Sequence, residues 1–204
     1  MPRPTEDIIR EISRRREEIL KNLDLVHTYV RLKEMYRKNK IQSPEFRSLF
    51  KEYYRLNQAR LSQEWQNHFF ALLSKGKMDL ACVLCKLYDT LSGNNRHKVY
   101  FSFATKLIHT IDNNKPIYDS RVGKVIKKRV NGNGPDERIK SCVKIYKDLK
   151  GLYPKLLKNR EIKKAISNFR KIYKVNRNAV GDVKVLDFIM WSLGDIELNE
   201  KIFS

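Results

Sequence analysis

The run Lys98-Val99-Tyr100-Phe101-Ser102-Phe103-Ala104-Thr105-Lys106-Leu107-Ile108-His109-Thr110-Ile111 is strongly apolar and stops before Asn113-Asn114-Lys115-Pro116. Asp119 then stands where a helix N-cap belongs, opening Ser120–Val130, and Asn131-Gly132-Asn133-Gly134-Pro135 breaks that second segment. Asn, Gly and Pro punctuate because they favour turn geometries that a continuing helix cannot use. The pattern is helix, loop, helix, break, and it extends in both directions.

Toward the N-terminus, Thr5 is placed to cap a helix whose apolar stripe is Ile8, Ile9, Ile12, Ile19, Leu20 and Leu23, at spacings of three and four. Arg14-Arg15-Arg16-Glu17-Glu18 forms its solvated face, and Val26, Tyr29, Val30 and Met35 continue or restart the pattern. Ser43-Pro44-Glu45 reads as a helix start, Ser as cap and Pro at the first helical position. Leu61–Ser74 carries Trp65, Phe69 and Phe70 and closes near Gly76, and Met78–Leu91 runs into the turn Ser92-Gly93-Asn94-Asn95. Toward the C-terminus the spacing predicts helices over Asp136–Lys150, Arg160–Tyr173 and Asp182–Leu193, the last with Val185 to Trp191 as a closing core segment. No strand alternation, repeat or low-complexity tract interrupts this. The expected fold is all-α, a compact bundle of about eight helices. It forms one domain over 1–204, or two helical lobes (1–95 with 181–204, and 96–180) with an active-site cleft between them.

Charge narrows the function. The 204 residues carry a net charge of +20, and residues 96–180 hold 23 basic against 6 acidic side chains. So lopsided a surface implies a polyanionic partner, because neutralising phosphates releases condensed counterions. Nucleic acid fits that description; an acidic protein or an anionic membrane surface docked by a helical scaffold is the alternative. No apolar run approaches the ~18 residues needed to span a bilayer, and the N-terminal residues lack a signal peptide's apolar core. A hydrophobic fraction of 41% with 10% aromatics suffices for a packed core, and 8 Gly with 6 Pro are too few for a fold of many tight β-turns.

Cys82, Cys85 and Cys142 are odd in number and unlike a disulfide framework, so a reducing, intracellular home (cytoplasm or nucleoid, or a nucleus) is expected. Cys82 and Cys85 have C-x-x-C spacing within an apolar helical run, without a second pair, and three thiols cannot hold an iron–sulfur cluster. They read as buried structural thiols. His27, His68, His97 and His109 show no ligand spacing, so neither a metal nor another cofactor is expected. P-loop, dinucleotide and nucleophile-elbow motifs are absent, which excludes several large enzyme classes.

The Lys98–Val130 segment also carries the candidate chemistry. Lys106 lies in an apolar helix, where burial of an amine disfavours the ammonium and exposes a nucleophile. Asp119, at a helix N-terminus, is held ionised by backbone N–H groups. The two lie either side of one loop, and His109 shares the helical face of Lys106, where it could tune the amine. The plainer alternatives are a lysine that snorkels to water and an aspartate that only caps its helix.

Phe103-Ala104-Thr105-Lys106 followed by Pro116-Ile117-Tyr118-Asp119 resembles the core signature of the helix-hairpin-helix DNA glycosylases; the match covers about Val99–Val130 and implies a degenerate helix-hairpin-helix around residues 78–130. Phe101, Phe103 and Ala104 stand where the family's hairpin has glycines, and the cluster-binding cysteines of the endonuclease III-like branch are absent. The resemblance implies Lys106 as the nucleophile at the sugar carbon and Asp119 as the supporting carboxylate. It implies a double-stranded DNA partner with one base flipped from the stack, and no obligate protein partner. Ser102, Thr105, Arg121, Lys124, Lys127, Lys128 and Arg129 would contact DNA, while Trp65, Phe69, Tyr118 or Trp191 would stack on the base. The expected activity is that of a DNA glycosylase, with or without AP-lyase activity, excising a damaged or modified base in repair or defence. The alternative is a non-catalytic basic helical nucleic-acid-binding protein.

Overall fold

A computed structural model describes residues 2–21, 23, 25–91 and 97–200. Among the described residues the chain is all-helical, with eleven α-helices, one 3₁₀ turn and no strand. The turn expected at Ser92–Asn95 lies outside them.

The first periodic segment is two helices, α1 (Thr5–Arg14) and α2 (Arg16–Lys21), with a break at Arg15. Thr5 is the first helical residue rather than the cap; Pro4 holds the cap position and contributes no side-chain bond. Next come α3 (Val26–Arg37), α4 (Pro44–Tyr53), a 3₁₀ turn at Leu56–Ala59, α5 (Gln63–Lys75), α6 (Leu80–Asp89) and α7 (Phe101–Ile111). The capping logic holds at their starts. Ser43, Ser62 and Asp79 accept from the backbone N–H groups of Phe46, Trp65 and Cys82, each satisfying a donor that the helix leaves orphaned.

Asp119 caps α8 (Ser120–Val125), which ends five residues earlier than the periodicity suggests. Lys127 adopts a left-handed φ of 53°, its N–H bonds to the Lys124 carbonyl, and the Lys128 N–H bonds to the Gly123 carbonyl. That pair of bonds is a Schellman motif, here with lysine where glycine is usual. By contrast α9 (Pro135–Lys158) runs past Lys150 and through Pro154, because Leu149, Tyr153 and Leu156 all lie on a buried stripe. The chain ends in α10 (Arg160–Tyr173) and α11 (Asp182–Glu200), the latter also longer than expected.

The helices form two compact units, residues 1–24, 113–130 and 144–204 in one, 25–112 and 131–143 in the other. These boundaries differ from the lobes suggested by charge, which divide near 95 and 180. Unit one has α11 at its centre, packed on α8, α2 and α10 around Ile8, Ile12, Ile19, Phe169, Ile189 and Leu193. Gly194 is required there, since a Cβ would strike the backbone carbonyl of Arg121. The end of α11 is held by Arg3–Glu197 at 2.6 Å and by a two-pronged Arg15–Glu200 pair. Unit two is built on aromatic packing: Phe46, Phe50, Trp65, Phe69 and Phe70 are fully buried, with Trp65 stacked on Phe69 at 5.5 Å. Burying such rings contributes about 1.5–3 kcal/mol each.

Candidate functional site

Within unit two, Lys106 sits half-buried on α7. Its Nζ donates to the Tyr54 carbonyl at 3.3 Å and lies 5.1 Å from the Phe103 ring centre and 5.6 Å from that of Tyr54. These are contacts suited to an ammonium, a carbonyl acceptor and two negative ring faces. His109 shares the face but is fully buried, its Nε2 3.2 Å from the Tyr29 hydroxyl. The Thr105 hydroxyl is turned inward and donates to the Ser102 carbonyl at 3.0 Å. Trp65 and Phe69 are core residues, and the Trp65 Nε1 donates to the Leu87 carbonyl at 3.1 Å.

Within unit one, Asp119 accepts from the Val122 N–H at 2.9 Å. The basic residues that follow it divide into two groups. Arg121 donates to Asp195 at 2.6 Å and lies 4.4 Å from the Trp191 ring centre. Lys124 donates to the Glu197 carbonyl, and Lys128 pairs with Asp148 at 2.5 Å. These three are therefore tied to α9 or α11, although no acidic residue follows them in sequence until Asp136. Lys127 and Arg129 stay exposed. Tyr118 is buried and donates to the Lys128 carbonyl at 3.0 Å.

The cysteines differ from expectation. Only Cys142 is buried, and burial pushes its thiol up to about 12. Cys85 is exposed and Cys82 half-buried, because Leu80, Val83, Leu84 and Leu87 form the inward stripe of α6 and turn the C-x-x-C pair outward. Among the described residues no three His, Cys, Asp or Glu side chains gather as metal ligands, and no helix is long and apolar enough to cross a membrane.

One polar cluster escaped the sequence reading. Lys184 and Asp187, each 4% exposed, lie within the core helix α11. Asp187 Oδ1 accepts from the Tyr153 hydroxyl at 2.6 Å and from the Ile117 N–H at 3.0 Å. The Lys184 Nζ lies 4.5 Å from the Phe188 ring centre. Desolvation drives Lys184 below its ordinary range and Asp187 above its own, and each charge partly restores the other. Tyr153 rises far above the phenol range, from burial first and the Asp187 charge second. Asp119 acts on all three, favouring the lysine's charge and opposing ionisation of Asp187 and Tyr153. The available signal was a Lys and an Asp three apart in an otherwise apolar helical run.

Mechanically, the Asp187–Ile117 bond pins the Pro116-Ile117-Tyr118 segment two residues before Asp119. The cap aspartate is thus fixed from both sides, by Ile117 upstream and by its own helix downstream. Comparison with models of known families, with characterised proteins and with solved structures finds no match.

Proposed function

We propose that this chain is a DNA glycosylase that excises a damaged or modified base. The observation that carries the reading is local. A lysine on an apolar helix is followed, after the Asn113–Tyr118 segment, by an aspartate that caps a short helix closed by a Schellman turn. A lysine followed by a helix-opening aspartate is the order that the Phe103–Lys106 and Pro116–Asp119 resemblance implies, although Phe101, Phe103 and Ala104 lie within α7 rather than in a hairpin, and the net charge of +20 supports a DNA partner.

In this scheme the target nucleotide is flipped from the stack, which costs least for damaged or mispaired bases. The amine of Lys106 bonds to C1′ as the bond from C1′ to the base breaks and the base leaves with the electron pair. A proton then passes from the nitrogen to O4′ as the C1′–O4′ bond breaks, which opens the sugar ring to a hydroxyl and a protonated imine from which β-elimination can cut the strand. Asp119 stabilises the positive charge that develops on the sugar.

The test is base release from a panel of lesion-containing duplexes, with borohydride trapping alongside. Wild type is expected to release one class of base and form a covalent adduct that Lys106→Ala abolishes. Asp119→Asn should lower release by at least about a hundredfold, the scale of an electrostatic contribution to a developing charge. No release from any substrate sinks the proposal. The cation-like contacts of Lys106 with Tyr54 and Phe103 favour the second reading, a non-catalytic nucleic-acid-binding protein, which predicts binding without release.

A further inference from the structure

Unit one carries a groove of about 780 Å³ between the end of α9 and the length of α10, and neither the signature nor the Lys184 cluster uses it. Its floor is apolar, from Pro154, Leu157 and Ile166. Its walls carry Lys158, Lys163, Arg170, Lys171 and Arg177 against a single acid, Asp182. That acid is already shared, by Arg170 at 2.5 Å and Arg177 at 3.0 Å. Lys158, Lys163 and Lys171 are exposed, and no ion pair among the described residues neutralises them.

The arrangement is linear. Lys163, Ser167 and Lys171 follow one another at intervals of four and so form a single stripe of α10, roughly 12 Å long at 1.5 Å per residue. A lone phosphate or a small anion would call for donors converging on a point. A nucleic-acid strand presents one phosphate per ~3.4 Å of duplex axis, so this stripe spans about three. Charge lining a groove with low-dielectric walls also focuses the field along it.

From this stripe we infer that the α9–α10 groove is a second DNA-binding site, which grips the phosphodiester backbone of a strand through Lys163, Ser167 and Lys171, with Lys158 on the facing wall. The site shares the DNA partner of the proposed function but needs no base excision.

The experiment measures binding of a fluorescent duplex of about 25 base pairs between 50 and 200 mM salt, for wild type and for Lys163→Ala/Lys171→Ala. Loss of two phosphate contacts should flatten the slope of log affinity against log salt by about 1.8, and weaken binding on the order of 60-fold at 0.1 M salt. Lys164→Ala/Lys174→Ala, near the two opposite ends of α10 and outside the groove lining, should leave the slope closer to wild type. A circular dichroism melt matched to wild type establishes that the groove variant is folded. An unchanged slope in the folded variant overturns the groove assignment, as does failure of wild type to bind at all. Binding with no base release, in contrast, removes only the glycosylase reading.

Discussion

Replacing Asp187 with alanine should be among the most damaging single changes in unit one. The substitution removes the acceptor of the Tyr153 hydroxyl and the Ile117 N–H, and both donors lie in the interior. Each buried donor left unsatisfied costs about 1–3 kcal/mol. It also removes the carboxylate that most favours the charged form of buried Lys184, and breaking one side of a buried charge pair typically costs about 3–5 kcal/mol. These contributions overlap, and deleting the costly carboxylate returns some desolvation, so about 3–5 kcal/mol is expected in total. With a urea slope near 2 kcal/mol/M the midpoint should fall by about 1.5–2.5 M. Urea unfolding followed by circular dichroism reads this directly. Asp187→Asn keeps an oxygen for both donors and should lose less. Lys184→Met with Asp187→Leu removes both charges and should recover the part of the loss due to the unpaired lysine, while the Tyr153 and Ile117 donors stay unsatisfied. An alanine variant within 1 kcal/mol of wild type, or a double variant no better than the alanine, would refute the reasoning.

The same pair should shape the pH profile of stability. Burial raises Asp187 in the folded state, so the fold binds more protons than the unfolded chain and stability falls as pH rises from the ordinary carboxylate range toward neutrality. Lys184 is lowered, so the fold binds fewer protons at alkaline pH and stability rises as pH climbs toward the ordinary lysine range. Urea midpoints from pH 4 to 10 should therefore show a trough near neutrality that Lys184→Met/Asp187→Leu makes shallower. Gly194→Ala should cost about 1–3 kcal/mol by forcing α11 off the Arg121 backbone, read as a drop in thermal midpoint of several degrees. Lys127→Gly should stabilise by up to about 1 kcal/mol, because the left-handed φ of 53° strains a side-chain-bearing residue; a loss in thermal midpoint would contradict that.

Much of the helical framework was legible because caps and turns are short-range. Ser43 and Asp119 act on N–H groups three residues away, so both partners of each cap are visible in the sequence. Where a helix ends is a different matter. The Schellman closure at Lys127 and the passage of α9 through Pro154 depend on which faces are buried, and burial is a property of neighbours distant in the chain.

The sequence by itself determined the all-helical class, the aromatic core segments and the cationic balance, since periodicity, ring content and formal charge are sums over nearby or all residues. Tertiary structure alone decided the partners. It tied Arg121 to Asp195 and Lys128 to Asp148, 74 and 20 residues away, turned Cys85 outward, and set Lys163 and Lys171 along a groove. It also brought Tyr153 and the Ile117 N–H onto Asp187, across 34 and 70 residues. A charge or a donor acquires its role only when packing removes water from around it and brings in a partner from elsewhere in the chain.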